Sequence, residues 1–476
     1  MKHCKLVGFC LLISAFTAIS VYANPQYLQL DDYLEQVKTK SPSVKASNLQ
    51  IEGLKESSAE GGLIYNPRFS FLGYYMNDKR EVTNAIFAGS TSTSDNLTFA
   101  LDQQFSFGTS AKLSYNLGSS QTSNLNRGLV PSGSFNYSAG QTELDITHPL
   151  WKNGFGIETR ATAELAEANS LASHYSESFK LKQTYSQAES TYYRLAIARE
   201  SFKLQEDVLD RSKKILEWAD KRVRNQLADK VDMLQAKAAY QARQLEIETA
   251  KNEQRSAQLA FNTLRFDSSD QVSETLAPLN TETILQIPVP KKAEVTDDVK
   301  AAEQAERIAY SSNELSRQRA QPDLSLFGSL AYNGVDTYLS PALSDSFSTK
   351  NPMYRFGIQF SMPLFIGETS DIRSGRTKQQ LAAEANTLQT KLVNAQNWDD
   401  LEKRFSEAKG RLKLADDLVK AQKEKLDHEK YRFNLGRTTT FQVLTYEQDY
   451  AQALITRLHI AQEILTTHAQ MKAYSL

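Results

Sequence analysis

The residues able to do chemistry are few, and their spacings are poor for it. Beyond the first 24 residues the histidines are His148, His174, His428, His459 and His468. None shares a helical face with a second His, Cys or acid at a metal-ligand spacing, so no metal site is expected. Gly154-Phe155-Gly156 precedes a helical stretch as a phosphate loop would. It lacks the third glycine and follows a Pro-broken strand, which predicts a strand-to-helix turn instead. The adjacent acids Asp31-Asp32, Asp297-Asp298 and Asp399-Asp400 read as solvated helix starts, where carboxylates complement the dipole. Asn96-Leu97-Thr98 and Asn136-Tyr137-Ser138 fit the glycosylation pattern, which has meaning only in a host that glycosylates. No catalytic group and no cofactor site emerges, so an enzyme is not expected.

The elements around these residues carry more information. Lys2 and Lys5 head an apolar run, Leu6 to Val21, and Val21-Tyr22-Ala23 offers small residues at a cut before Asn24. This predicts a signal peptide over 1–23. It contains both cysteines, Cys4 and Cys10, so the exported chain would have none, which suits an oxidising compartment. Basic and acidic residues nearly balance, 55 Lys and Arg against 56 Asp and Glu, which gives nucleic acid no electrostatic hold. No later run of about 18 apolar residues exists, so a membrane crossing would have to be a β-barrel.

Landmarks recur in one order. Asn66-Pro67-Arg68-Phe69 is echoed by Gln321-Pro322-Asp323-Leu324, and His148-Pro149-Leu150-Trp151 by Met362-Pro363-Leu364-Phe365. Arg222, Leu234 and Tyr240 match Arg432, Leu444 and Tyr450 at a single offset of 210. Between the first two landmarks the pattern has period two, with Leu97, Phe99 and Leu101 in one copy and Phe356, Ile358 and Phe360 in the other. This predicts strands over about 66–150 and 323–365.

After the second landmark the pattern turns helical, over 157–224 and 369–434, without a proline. At 1.5 Å per residue each helix would be roughly 100 Å long, which suits a coiled coil or a helical tube. Leu181, Ala188, Leu195, Phe202, Leu209, Leu216 and Val223 lie seven apart, as do Trp398, Phe405, Leu412, Val419, Leu426 and Phe433. A sustained seven-residue repeat imposes left-handed supercoiling. Shorter helices are expected at 30–62, 228–266, 296–320 and 438–473, each pair nearly as long as one long helix. The chain thus reads as two repeats, 24–266 and 296–476, joined by a Pro-containing linker at 267–295.

The order of short helix, Asn/Gln-Pro strand, strand ending in Pro-Leu-aromatic, long helix and turn resembles the TolC-type outer-membrane efflux proteins. Leu435-Gly436-Arg437-Thr438, followed by Val443-Leu444, is similar to that family's periplasmic turn. The resemblance implies an α+β membrane channel: an outer-membrane β-barrel on a long periplasmic α-helical coiled-coil barrel, internally duplicated and trimeric. It implies the outer membrane of a Gram-negative bacterium, with outer-membrane lipid around the barrel. It also implies a periplasmic adaptor protein and an inner-membrane RND, ABC or MFS transporter as partners. Gln226, Leu227, Ala228, Leu435, Gly436 and Thr438 would form the adaptor-contacting tip.

Two departures stand out. Pro67 and Pro149 are 82 residues apart, Pro322 and Pro363 only 41. The excess predicts an added hairpin, 95–107 and 110–117, giving six strands per chain where the family usually has four; the competing reading is an extension outside the wall. At the gate, Gln442 and Thr445 match positions one or more of which is acidic in the best-known relatives, leaving Asp232 in the first copy as the carboxylate. Arg222, Arg432 and Arg437 are candidates to hold the tip shut through Asp232 or Asp229. The rival class is a trimeric envelope-spanning adhesin or structural coiled coil, which would not alternate strands and stalk twice.

Overall fold

The computed structural model describes residues 27–80, 91–123, 125, 134–364 and 366–475. The expected signal peptide and Phe365 of the second landmark lie outside the described residues. The stretch 30–62, expected as one helix, is broken into α1 (Leu30–Lys40) and α2 (Pro42–Ser57), with a 3-10 segment, Ser58–Tyr65, after it. Pro42 has no amide hydrogen for the helical ladder, and it holds Ser41 before it extended at φ −71° and ψ 117°. Strands β1 (Arg68–Asp78), β2 (Thr91–Gln104), β3 (Ser110–Ser123) and β4 (Ser134–Pro149) follow.

Helix α3 spans Ile157–Arg224, its 68 residues holding neither Gly nor Pro, and α4 spans Lys230–Leu264. The linker contains the short α5 (Thr281–Gln286) ahead of α6 (Asp297–Arg319). After β5 (Asp323–Asp336) come α7 (Leu339–Asp345) and β6 (Pro352–Ser361). Helix α8 (Ile366–Asn434) starts three residues before its expected position, and α9 is Thr440–Lys472. Asp399-Asp400 therefore lies inside α8, not at a helix start. There Asp400 pairs with Arg404 one turn on, at 3.6 Å.

All six strands form one antiparallel sheet in the order β1-β2-β3-β4-β5-β6. The added hairpin is β2–β3, and it lies within the sheet between β1 and β4. Among the described residues, β1 and β6 are each paired on one side only.

The chain divides into two compact units, each drawn from three segments. One comprises residues 1–41, 188–287 and 408–466. In its core the Tyr33 ring stacks on Phe261 at 4.0 Å, and the Tyr33 hydroxyl donates to the Phe261 carbonyl at 3.1 Å. The first part of the linker is fastened here. Leu28 bridges Leu276, and Arg199 donates to the carbonyls of Val272 and Glu274 at 2.5 and 2.6 Å.

The other unit comprises 42–187, 288–407 and 467–476, and holds the sheet. Asp297 begins α6 as expected, but it is buried rather than solvated. Burial alone would raise its carboxyl, yet hydrogen bonds from Lys182 and Ser178 hold it below the usual carboxylate range.

The two seven-residue stripes differ in depth. Trp398, Phe405, Leu412, Val419, Leu426 and Phe433 are all buried. In α3 only Ala188 and Leu195 of the stripe are, and nearer the helix end burial moves to Val208, Ser212, Ile215 and Ala219. Toward the end of α3 the buried positions therefore lie one residue before the stripe.

Candidate functional site

The sheet register sorts its side chains onto two unlike faces, because successive residues of a strand alternate. Phe71 pairs with Phe99, Phe99 with Tyr115, Leu113 with Leu144, Leu144 with Leu330 and Leu330 with Tyr354. One face therefore carries apolar side chains on every strand. They are uncovered: Phe69 is 66% exposed, Phe356 79% and Ile358 68%. A contiguous apolar surface of this extent marks a place meant for a partner or a membrane.

The opposite face is polar. Arg68, Asp102, Lys112, Asp145, Ser329 and Arg355 are successive register partners, one from each strand in order. Thr98 donates to Asn116 at 2.7 Å, and Arg355 to Ser329 at 3.3 Å. Its small residues Ala100, Ser114, Ser329 and Ala331 are buried by their neighbours, as on the inner side of a curled sheet. Where the sheet meets α3, two turns interlock. Gly108 has φ 91° and Gly156 φ 77°, and a Cβ on Gly156 would lie 1.9 Å from the Ser106 carbonyl oxygen. Gly154-Phe155-Gly156 is thus a strand-to-helix turn packed on the β2–β3 turn.

In the other unit, α3 and α8 each end in a turn of one design. Leu227 N–H donates to Arg222 O at 2.8 Å and Gln226 N–H to Val223 O at 3.0 Å. Arg437 N–H donates to Arg432 O at 2.9 Å and Gly436 N–H to Phe433 O at 2.9 Å. This pair of bonds defines a Schellman cap, whose turn residue must adopt the left-handed conformation. Gln226 does so at φ 59° and Gly436 at φ 71°. The arginine side chains reinforce both turns, Arg222 donating to the Leu227 carbonyl at 3.1 Å and Arg432 to the Arg437 carbonyl at 3.4 Å.

Ile215, Phe433 and Val443 form a buried cluster beside these turns, with Trp218 and Leu444 packed on it. The Trp218 and Phe433 rings lie 3.6 Å apart, and the Arg222 guanidinium sits 4.7 Å above Trp218. Two buried glutamates complete the group. Glu447 accepts from Arg211 and lies 3.0 Å from Lys430. Glu429 accepts from Arg432 at 3.2 Å and from Thr438.

The candidate gate residues are only partly assembled within one chain. Among the described residues no ion pair joins Arg222, Arg432 or Arg437 to Asp229 or Asp232; the first two arginines grip their own turns. Asp232 lies in the first turn of α4. Thr445 hydroxyl donates to the Phe441 carbonyl one turn back at 3.0 Å, and Gln442 N–H to Thr439 at 3.3 Å. Leu227, Leu435 and Gly436 are exposed, while Ala228 and Thr438 are half-buried. Sequence reasoning missed Glu447, Glu429, Arg211 and Trp218. The one signal available was spacing: Glu447 follows Val443 by four residues and Trp218 precedes Arg222 by four, so each shares a helix face with its neighbour.

Residues 293–475 match the family model described as outer membrane efflux protein. No curated protein sequence matches the chain significantly. Among solved structures, VceC from Vibrio cholerae is similar over 94% of this chain and 96% of its own, at 14% identity and TM-score 0.63. CusC is similar over 96% and 95%, at 13% identity and TM-score 0.63. The open state of the Neisseria gonorrhoeae MtrE outer membrane channel is similar over 94% and 88%, at 15% identity and TM-score 0.61. With the family's sequence pattern over its C-terminal part and the channels' fold along nearly its whole length, the protein is recognised as similar to the TolC-type outer-membrane efflux proteins.

Proposed function

We propose that the protein is the outer-membrane exit duct of a tripartite efflux or type I secretion system in a Gram-negative bacterium. Three copies pool their sheets, β6 of one pairing with β1 of the next, into a single barrel of 18 strands, a size at which barrels leave an aqueous channel. The observation that carries this is the six-stranded sheet with one apolar face, one polar face and, among the described residues, two edges without a partner strand. In lipid such edges must be paired, which barrel closure does, and the outward apolar face is then covered by lipid chains. The long helices of the three copies, one from each repeat, form the periplasmic tube together with the shorter helices. Its turns at Gln226–Ala228 and Leu435–Thr438 meet the periplasmic adaptor, and an RND, ABC or MFS transporter supplies the energy. The duct itself performs no catalysis.

The test is an SDS-resistant, heat-modifiable trimer that conducts in planar bilayers. Trimers without conductance would favour the envelope-spanning adhesin. With Gln442 and Thr445 uncharged at the constriction, Arg222, Arg432, Arg437 and Asp232 are left as the charged gate groups. Divalent and trivalent cations are then expected to block weakly; strong block abolished by Gln442→Ala would overturn this assignment.

A further inference from the structure

The connection between β5 and β6 does not leave the sheet as a solvent loop. Helix α7 folds back over β4 and β5, and Ala342 and Ser346 are fully buried beneath it. Its seat is built for it. Gly140 and Gly334 are direct register partners, and both lack the side chain that would lift the helix away. A Cβ on Gly334 would come within 2.3 Å of the Ala342 carbonyl oxygen, and one on Gly140 within 2.9 Å of the Ser346 side chain. Tyr115 adds a hydroxyl contact to Ser346 at 3.2 Å and a ring stacked on Phe347 at 5.1 Å.

The seat is on the apolar face, since Gly140 and Gly334 alternate in phase with Leu144 and Leu330, and Tyr115 pairs within that same set. The exposed residues of the insert include large apolar ones. Tyr338 is 74% exposed, Leu339 52%, Leu343 41% and Phe347 64%. Leu339 and Leu343 stand one helical turn apart and exposed, flanking the buried direction of Ala342 and Ser346, while Ser340 and Ser344 face away from it.

Height along the strand identifies the surroundings. Leu324 opens the apolar band on β5 and Gly334 lies ten residues on, about 33 Å at 3.3 Å per residue. At the usual 35–45° barrel tilt this is about 25 Å of height, the full thickness of an outer-membrane apolar band.

We propose that α7 and its flanking residues Tyr338 and Phe347 are a foot resting in the outer-leaflet interface, with Leu339 and Leu343 in contact with lipid. The inference rests on the barrel reading above. A second copy of the chain is not the occupant, because α7 lies over β4 and β5 whereas the edges open to a copy are those of β1 and β6. The foot fixes how deep the barrel sits, as an amphipathic interfacial element does.

The test uses the full chain with Cys4 and Cys10 replaced by Ser, in phosphatidylethanolamine–phosphatidylglycerol vesicles. Spin labels are placed at Leu343→Cys, at Ile358→Cys in the apolar band and at Asn116→Cys on the polar face. Collisional access to oxygen and to a water-soluble nickel chelate is compared. The expected result is several-fold higher oxygen than nickel access at 343, with the 358 label deeper still and the 116 label open to nickel. Nickel access at 343 with a lipid signature at 358 overturns the foot and leaves the barrel standing. Nickel access at both positions overturns the barrel reading as well. Shielding of 343 from both reagents means that protein covers it, which also overturns the foot. Gly334→Ala supplies the second variant: it should unseat α7 and raise label mobility at 343, and an unchanged spectrum counts against the built seat.

Discussion

The turns that end α3 and α8 share a backbone and differ in what supports it. Both are Schellman caps with an arginine donating to the carbonyl five residues on, and corresponding atoms are 210 positions apart. Beneath the α8 turn, however, lie a buried phenylalanine and two buried glutamates, Phe433, Glu429 and Glu447. The positions 210 residues earlier are Val223, Ala219 and Lys237. The same local geometry therefore stands on a packed, ion-paired base in one turn and on a lighter base in the other. Cap bonds set the shape of each turn, and packing beneath sets how firmly it is held.

The largest expected effect tests that packing. Phe433→Ala should destabilise the helical part by about 3–5 kcal/mol, since it empties a buried aromatic site. Val223→Ala, at a half-buried position, should cost about 1 kcal/mol. Thermal unfolding followed by circular dichroism in detergent reads both, and equal losses would remove the difference between the turns. Next comes charge. Glu447→Gln leaves Arg211 and Lys430 without their shared carboxylate and should cost about 2 kcal/mol. Lys237→Gln, on an exposed position, should stay within about 0.5 kcal/mol. Hydrogen exchange across 440–450 should quicken in the first variant and be unchanged in the second.

The turn residue itself gives a smaller, opposed pair. Gln226→Gly removes the left-handed penalty of a residue with a Cβ and should gain about 0.5–1 kcal/mol, whereas Gly436→Ala should lose about 1 kcal/mol. Urea midpoints of the two variants should move in opposite directions. The smallest effect belongs to the arginines. Arg222→Met, losing both the carbonyl bond and its place over Trp218, should cost about 1 kcal/mol, and Arg432→Met about half that. A larger loss for Arg432 would mean that its bond to Glu429 matters more than the aromatic contact.

Helix α3 was legible because a long run rich in helix formers, without a proline, spans it. The added hairpin was legible from spacing between prolines, although the same gap also allowed an extension outside the wall, and the register decides for strands. The break at Ser41 was not taken from the sequence, although Pro42 stands there, because apolar residues continue on both sides of it. The seat of α7 was hidden for another reason. Gly140 and Gly334 are 194 residues apart, and only strand register makes them neighbours. The glutamates of the tip were missed because a buried ion pair has no periodicity of its own. Glu447 looks like any charged residue on a helix until Arg211 is brought to it.

One feature of the polar face bears on transport in the proposed duct. The row from Arg68 through Asp102, Lys112 and Asp145 to Arg355 alternates in sign over most of its length. Fields from neighbouring opposite charges cancel with distance, and salt screens what is left within about 8 Å. The row keeps one positive charge in excess per chain, and screening leaves a solute on the axis of a wide pore only a weak potential from it. Such a lining is wettable without being selective. Cations, anions and zwitterions would pass it alike, and any sorting of cargo by charge would have to occur before the solute enters.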